Sequence, residues 1–289
     1  MNQQQHETVR QILVDNARRI SVDHQVEIES WDPVKPGGNF LPAYIPYIGA
    51  DYFSPRTKGC RILAYALSQN ISKSDGFAVE WAHDWKEGTG TVALDRQNQN
   101  GGVAMHPFAT GHIPILAYLL RSLAFGRKPG DGESIFWEIA ATNLSKFSFR
   151  SSNGKWTTDN YTSLRRCWEW FSRLEVEQLD PDFILCCDHR VYNIVQVHVP
   201  AASKKARVIL VAFPSLRVIN RHYRKTRFHE GHLRAPQIKE RIAAVDLDRS
   251  VDHGRTISQV IDRDEYYFAE MFARMETAFS VIASSSGAT

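Results

Sequence analysis

Long apolar runs are absent from the sequence, and no stretch approaches the roughly 18 apolar residues that a membrane-spanning helix needs. The first residues are polar and carry no apolar signal core, so we expect a cytoplasmic protein without a membrane partner. A strong excess of one charge is missing too, since the formal net charge is +3 over 289 residues. The composition therefore disfavours a membrane-embedded helical protein, and by itself it gives only a weak indication of a nucleic-acid partner.

Cysteine is scarce, and this scarcity limits both disulfide and metal chemistry. No two of the four cysteines have C-x-x-C spacing, and the adjacent Cys186-Cys187 pair lies in an apolar run. We therefore expect buried, reduced thiols rather than a disulfide framework, and neither a metal nor a cofactor. His229, Glu230 and His232 have ligand-like spacing, but no matching set of ligands accompanies them. The other two cysteines are Cys60 and Cys167.

Short apolar runs and helical patterns alternate along the chain. Four apolar runs stop abruptly at polar residues, as buried strands do, and helical spacing lies between and beyond them. This alternation predicts an α/β fold with a largely parallel central sheet. The predicted strands are 61–67, 135–144, 183–187 and 207–212, and the predicted helices are 5–20, 113–123, 162–179 and 262–283.

The chain divides into three regions. Residues 1–60 hold a helix and an ordered loop rich in proline, glycine and aromatic residues. Residues 61–225 form the α/β core, and residues 226–289 form a basic and helical extension that we expect to pack on the core. Basic residues cluster where these two regions meet, a pattern that fits either a phosphate-binding surface or a solvated face. The cluster consists of Arg217, Arg221, Arg224, Lys225, Arg227, Arg234, Lys239 and Arg241.

Polar residues directly follow three of the predicted strands. Ligand sites in parallel sheets gather at the carboxyl ends of the strands, so these residues are candidates for a functional site. They are Ser68-Gln69-Asn70, Thr142-Asn143 and Pro214-Ser215.

These strand ends, taken in chain order, resemble motifs of the uracil-DNA glycosylase superfamily over roughly residues 45–225. Leu67-Ser68-Gln69-Asn70-Ile71-Ser72 is similar to the family's first motif, with Asn70 in the place of the residue that orients water. Met105-His106-Pro107-Phe108-Ala109-Thr110-Gly111 is similar to a second segment, which implies that Phe108 stacks on a flipped base. Ala141-Thr142-Asn143-Leu144-Ser145-Lys146 matches the pattern T-N-x-x-K, which implies that Asn143 reads the pyrimidine edge. Phe213-Pro214-Ser215-Leu216 resembles the H-P-S motif, whose loop enters the minor groove.

The resemblance implies a three-layer sandwich around a central, mostly parallel four-stranded sheet, and a monofunctional glycosylase that uses no cofactor. The substrate would be uracil or a C5-modified pyrimidine in double- or single-stranded DNA, with the hypermodified cytosines of phage DNA included, and the enzyme would be a monomer. Ser72 stands where the uracil-specific branch has a tyrosine, and this small residue leaves room beside pyrimidine C5. The implied DNA contacts are Pro214, Ser215, Leu216, Arg217, Arg221, Arg224 and Lys225.

One departure from the family pattern concerns catalysis directly. Phe213 takes the place of the motif histidine in the base pocket, so the usual donor to the departing base is absent. The backbone N–H of Gln69 and the side chain of His222 are the candidate replacements. A catalytically silent nucleic-acid-binding module with the same fold is therefore the alternative function. An unrelated α/β hydrolase is disfavoured because no G-x-S-x-G pattern occurs.

Two of these site residues also have purely structural interpretations. Phe108 fits an apolar residue that packs on the core at the start of a helix. Asn143 fits a turn residue at the end of a strand, because its short polar side chain can bond to nearby backbone. Only the position of each residue in the fold can distinguish these interpretations.

Overall fold

A five-stranded mixed sheet forms the centre of the computed structural model, which describes residues 2–31, 45–67, 112–125, 138–147, 160–212, 223 and 256–285. Its strands are β1 (Tyr47–Ile48), β2 (Ile62–Ala66), β3 (Ile139–Asn143), β4 (Phe183–Cys186) and β5 (Arg207–Leu210). Their order across the sheet is β1-β3-β2-β4-β5. Strands β2 to β5 run parallel, and β1 pairs antiparallel with β3 at one edge. The carboxyl ends of four strands therefore meet along one edge of the sheet.

Helices connect and cover the strands, and several begin at a residue that caps their free backbone N–H groups. Asn160, Asp188 and Thr256 each accept a hydrogen bond from a backbone N–H in the first turn of the helix that follows. The helices are α1 (Asn2–Asp23), α2 (Gln25–Ser30), α3 (His112–Phe125), α4 (Tyr161–Cys167), α5 (Arg173–Leu179), α6 (His189–Ala202), α7 (Ile257–Arg263) and α8 (Glu265–Ser285).

Side chains of the central strands alternate between two apolar cores, one on each face of the sheet. On β2, Ile62 and Ala64 face the core that is completed by α3, α7 and α8. Leu63 and Tyr65 face the opposite core, which is completed by α1, α4, α5 and α6. The described part of the chain is thus a three-layer α/β arrangement, with every residue of β2, β3 and β4 buried.

The predicted α/β class and the four predicted strands are confirmed, but the expected four-stranded sheet has a fifth strand. Tyr47 and Ile48 lie opposite Ala141 and Ala140, within the stretch that the sequence indicated to be a loop. A two-residue strand is too short for an alternating apolar pattern to reveal it. The described part of the second predicted strand, 135–144, is also shorter, since β3 begins at Ile139.

Helices α2, α6 and α7 and one π-helical turn were missed from the sequence. Helix α6 buries Val191, Ile194, Val195 and Val199, a spacing of one helical face that follows directly after the cap Asp188. The predicted helix 162–179 is present, but a π-helical turn at Trp168–Ser172 interrupts it between α4 and α5. Such turns insert one extra residue into a helix and often lie near functional sites.

The four cysteines are free and buried, as the sequence predicts. Burial raises the pKa of the Cys167 thiol to about 12, because the apolar surroundings disfavour the thiolate. No helix in the described ranges combines the length and the apolar character required to cross a membrane.

Candidate functional site

The carboxyl ends of β2 and β3 are paired directly. Ala66, the last residue of β2, lies opposite Asn143, the last residue of β3. The pairing continues past both strands, because the backbone N–H of Leu144 donates to the carbonyl oxygen of Ala66 at 2.9 Å and that of Ser145 donates to Leu67 at 2.8 Å. The residue that precedes Ser68-Gln69-Asn70 is thus fixed to the T-N-x-x-K segment.

The other side of β2 is held in the same way by β4. The backbone N–H of Cys187 donates to the carbonyl oxygen of Tyr65 at 2.8 Å, and the N–H of Val211, just after β5, donates to Cys186 at 2.8 Å. Strand ends β2 to β5 therefore form a continuous hydrogen-bonded edge. A ligand placed there would meet backbone that cannot shift without breaking these bonds.

Asn143 is the predicted site residue that the structure describes. It ends β3 at this edge, and its side chain is buried at 3% relative exposure. A buried amide needs hydrogen-bond partners, and it can both donate and accept. Its position beside Leu67 is the one that the strand-end rule predicts, whereas its contact with a base is untested.

The remaining predicted site residues lie outside the described part of the chain, and their predicted roles stay predictions. They are Gln69, Asn70, Ser72, Phe108, Phe213, Pro214, Ser215, Leu216, Arg217, Arg221, His222, Arg224 and Lys225.

The segments that carry those residues are nevertheless anchored at known points of the same edge. Helix α3 begins at His112, directly after the segment with Phe108, and the ring of His112 lies 5.4 Å from the ring of Tyr267. The hydroxyl of Tyr267 donates to the carbonyl oxygen of Ala212, the residue before Phe213, at 2.8 Å. The start of α3 and the end of β5 are thus connected through one tyrosine of α8.

A buried histidine–aspartate pair fixes this junction. The Nε2 atom of His112 lies 2.9 Å from the Oδ2 atom of Asp264, and both side chains are fully buried. Asp264 also accepts from the guanidinium of Arg263 at 3.1 Å and follows α7. The ring of His112 stacks on Phe268 at 5.4 Å. The pair therefore attaches the C-terminal helices to the sheet edge.

A second buried polar group includes Thr142, the residue before Asn143; we call it the lysine cluster and define it as Tyr65, Thr142, Lys146, Ser172 and Glu175. The ammonium of Lys146 donates to Thr142 Oγ1 at 2.7 Å and to Glu175 Oε1 at 2.5 Å. The hydroxyl of Tyr65 donates to Glu175 Oε2 at 2.8 Å and lies 3.4 Å from the carbonyl oxygen of Ser172. All five residues are buried.

Burial dominates the electrostatics of this cluster. It lowers the pKa of Lys146, while the carboxylate of Glu175 acts in the opposite direction. Burial raises the pKa of Tyr65 well above its ordinary value, and the neighbouring Glu175 raises it further. Tyr65 therefore remains a neutral donor, which fits its hydrogen bond to Glu175.

Sequence reasoning matched Lys146 to a motif but assigned it no contact, and it missed Glu175 entirely. The two residues are 29 positions apart in the chain, and each residue type is normally exposed. The available signal was Glu175 on the otherwise apolar buried face of α5, which it shares with Val176 and Leu179.

Comparison of the chain with protein-family models, with curated proteins and with solved structures finds no match. Among the residues that the structure describes, no group of three or more His, Cys, Asp and Glu side chains is arranged to hold a metal ion. The features of the chain that bear on function are therefore the carboxyl edge and the motifs that lead into it.

Proposed function

We propose that the protein is a DNA glycosylase that flips uracil or a C5-modified pyrimidine out of DNA and hydrolyses its N-glycosidic bond. The observation that carries this proposal is the pairing of the two motif strands, with Asn143 beside Ala66 and Ser145 bonded to Leu67. The motifs for water orientation and for base reading thus begin at adjacent points of one sheet edge. Base excision requires both functions on a single nucleotide.

A second support comes from the two remaining motifs. The segment with Phe108 ends just before His112, and the segment with Phe213 begins just after Ala212. Tyr267 contacts both flanking residues, at a ring distance of 5.4 Å and a hydrogen-bond distance of 2.8 Å. All four motifs therefore lead into or out of the same edge, which is the arrangement that a shared nucleotide pocket needs.

In this proposal each residue has a separate task. Phe108 stacks on the extruded base, an interaction that contributes about 1–3 kcal/mol and is tolerant of base identity. Asn143 pairs with the pyrimidine edge, since its amide offers a donor and an acceptor side by side. Asn70 orients the water that attacks the cationic sugar through its carbonyl oxygen. Gln69 N–H and His222 are the donors proposed for the departing base, in place of the motif histidine that Phe213 replaces.

The proposed substrate class follows from the small residue at position 72. Ser72 leaves space beside C5 of the base, so a methyl, hydroxymethyl or glucosylated hydroxymethyl group is accommodated. In this proposal the basic residues from Arg217 to Lys225 hold the phosphate backbone, and they support DNA rather than a free nucleoside as the substrate. The most specific substrate that we propose is a modified cytosine of phage DNA.

The test is an excision assay on oligonucleotides that carry uracil, mismatched thymine, 5-hydroxymethylcytosine or its glucosylated form. Alkali-labile breaks at the modified base are the expected result for the wild-type protein. Asn70→Ala is expected to abolish the breaks while DNA binding persists, because water orientation is lost and phosphate contacts remain. Binding by the wild-type chain without any break on any substrate would instead identify a silent binding module.

A matched pair of variants checks Asn143 in the same assay. Asn143→Ala is expected to lower the rate of excision by about 100-fold, because the pyrimidine edge loses the hydrogen bonds that hold the base in position. Thr57→Val provides the control, since Thr57 is a buried polar residue at the amino edge of the sheet, where its hydroxyl bonds to the backbone of Ser54 at 2.9 Å. Equal rates for the two variants would exclude Asn143 from the site.

A further inference from the structure

The lysine cluster connects the end of β3 to the helix layer below it. Thr142 precedes Asn143 on β3, Lys146 ends the turn that follows, and Glu175 lies on α5. One ammonium joins all three, with hydrogen bonds of 2.7 Å to Thr142 and 2.5 Å to Glu175. The side chain of Lys146 thus closes the turn around Asn143 and ties it to a helix.

The same turn is fixed from its other side by the backbone. The N–H groups of Leu144 and Ser145 bond to Ala66 and Leu67, so the turn cannot slide along β2. The N–H of Lys146 itself lies 3.5 Å from the Sγ atom of Cys167 on α4. Each residue from Leu144 to Lys146 therefore has its backbone N–H engaged, which leaves Asn143 at the head of a rigid turn.

A buried ion pair of this kind contributes little net free energy to folding. Removing an ammonium and a carboxylate from water is costly, and well-packed apolar pairs often stabilise a fold at least as well. What the pair supplies instead is geometry, because both partners must occupy fixed positions. The π-helical turn Trp168–Ser172 contributes to this geometry, since its last residue directs a carbonyl oxygen towards Tyr65 while Glu175 follows one turn later.

A second buried ion pair provides the comparison within the same chain. Arg121 donates to Glu138 Oε2 at 2.7 Å, and both side chains have 3% relative exposure. Arg121 also donates to the carbonyl oxygen of Cys60 at 3.2 Å, which places this pair at the amino edge of β2 and β3. The two pairs are similar in burial and lie at opposite ends of the same two strands.

From these contacts we infer that Lys146 is a positioning residue, whose bridge between Thr142 and Glu175 sets the orientation in which Asn143 meets the base. This inference rests on the proposed glycosylase function. Lys146 does not touch the substrate and acts only through the turn that it closes. The pair Arg121–Glu138, at the other end of the strands, has no such role.

The most selective test removes one hydroxyl. Thr142→Val keeps the ion pair and the side-chain shape but deletes the acceptor that connects Lys146 to β3. We expect kcat for excision to fall by about 100-fold, because a small misplacement of a contact group is enough to do so. KM is expected to stay within a few-fold of the wild-type value, since phosphate contacts dominate DNA binding. Thr57→Val, the matched hydroxyl deletion at the amino edge, is expected to leave both constants unchanged.

Conservative replacement of the carboxylate tests whether the hydrogen-bonded bridge is sufficient without the negative charge of Glu175. Glu175→Gln keeps an oxygen acceptor for Lys146, so the bridge to Thr142 persists and kcat is expected to remain near that of the wild type. The double variant Lys146→Met with Glu175→Leu removes the bridge together with both charges, and it is expected to lose kcat while remaining folded by circular dichroism. Arg121→Met with Glu138→Leu is its control, with changed thermal stability and an unchanged kcat per folded molecule.

The outcomes separate the two proposals. An active wild-type protein whose Thr142→Val and Thr57→Val variants have equal kcat values would overturn the positioning role and leave the proposed function standing. A wild-type protein that excises no base would overturn both. A loss of kcat confined to the variants that cut the bridge, with melting temperatures similar to those of the controls, supports the positioning role.

Discussion

Ser145 donates its backbone N–H to the carbonyl oxygen of Leu67 at 2.8 Å, just beyond the last paired residues of β3 and β2. This bond joins the residue before the predicted water-orienting motif to the turn that carries Asn143. It also makes the two motifs mechanically dependent, because a shift of one strand end moves the other. The strength of that dependence can be measured.

Ser145→Pro is expected to break this connection, since proline has no N–H and restricts the residue before it. The carbonyl oxygen of Leu67, a partly buried residue, loses its donor and proline distorts the turn, so the free energy of unfolding should fall by about 1–3 kcal/mol. Ser145→Ala keeps the N–H and loses the hydroxyl bond to the carbonyl oxygen of Phe147, so a smaller loss is expected. Urea denaturation measures both, and equal losses would mean that the backbone bond contributes nothing.

The position of Asn143 was predictable from sequence for a physical reason. An apolar run that ends in a polar residue identifies a buried strand and its carboxyl end, and parallel strands bring such ends together. The pairing of Ala66 with Asn143 follows that logic. The bridge from Lys146 to Glu175 was not predictable, because its partner lies on a helix whose depth against the sheet depends on packing that no local pattern encodes.

The same distinction explains the elements that were missed or incomplete. Strand β1 is defined by its hydrogen bonds to β3, and two residues carry no period of their own. The π-helical turn Trp168–Ser172 depends on contacts of the helix with Tyr65 and with α1, and its sequence reads as ordinary helix. Helix α6, by contrast, had a visible apolar face and a capping aspartate, so a stricter application of helical spacing would have found it.

Two fully buried tyrosines predict opposite effects of the same substitution. The hydroxyl of Tyr52 has no hydrogen-bond partner within the described residues, whereas that of Tyr65 donates to Glu175 at 2.8 Å. Tyr52→Phe is therefore expected to raise the free energy of unfolding by about 1 kcal/mol, since an unpaired buried hydroxyl is removed. Tyr65→Phe should lower it by about 1–3 kcal/mol, because Glu175 loses a donor.

Chemical denaturation of these two variants beside the wild type tests that prediction, with unchanged m-values as the sign of a comparable unfolding reaction. Stabilisation by both substitutions would argue against the hydrogen bond of Tyr65. Destabilisation by both would indicate that the hydroxyl of Tyr52 has a partner in solution.

We predict that loss of the hydrogen bond between His112 and Asp264 lets the C-terminal helices unfold locally before the sheet does. Asp264→Ala removes the acceptor 2.9 Å from the imidazole and leaves that ring buried between Tyr267 and Phe268. We expect the free energy of unfolding to fall by about 1–3 kcal/mol, because a hydrogen bond between two fully buried side chains is lost. Hydrogen exchange should become faster in α8 before it does so in β2 and β3. Asp262→Ala, an exposed neighbour on α7, is the control. Uniform acceleration across the sheet and α8 would mean that the pair stabilises the whole fold equally.

Alkaline pH is expected to destabilise the protein through its buried thiols and phenols. Burial raises the pKa of Cys167 from 9.0 to about 12 and that of Tyr47 from 10.0 to about 12. Between the unfolded and folded pKa values, the unfolded chain has already lost a proton that the folded chain keeps. Stability is therefore complete below about pH 9 and falls as pH rises towards 12, by about 1.4 kcal/mol per pH unit for each such group. Denaturation midpoints measured from pH 8 to pH 11 check the sign.

Cys167→Ser keeps an acceptor for the backbone N–H of Lys146 and has no thiol to titrate, so its stability should fall less steeply just above pH 9. If its slope equals that of the wild type, the buried thiol of Cys167 does not control the alkaline transition.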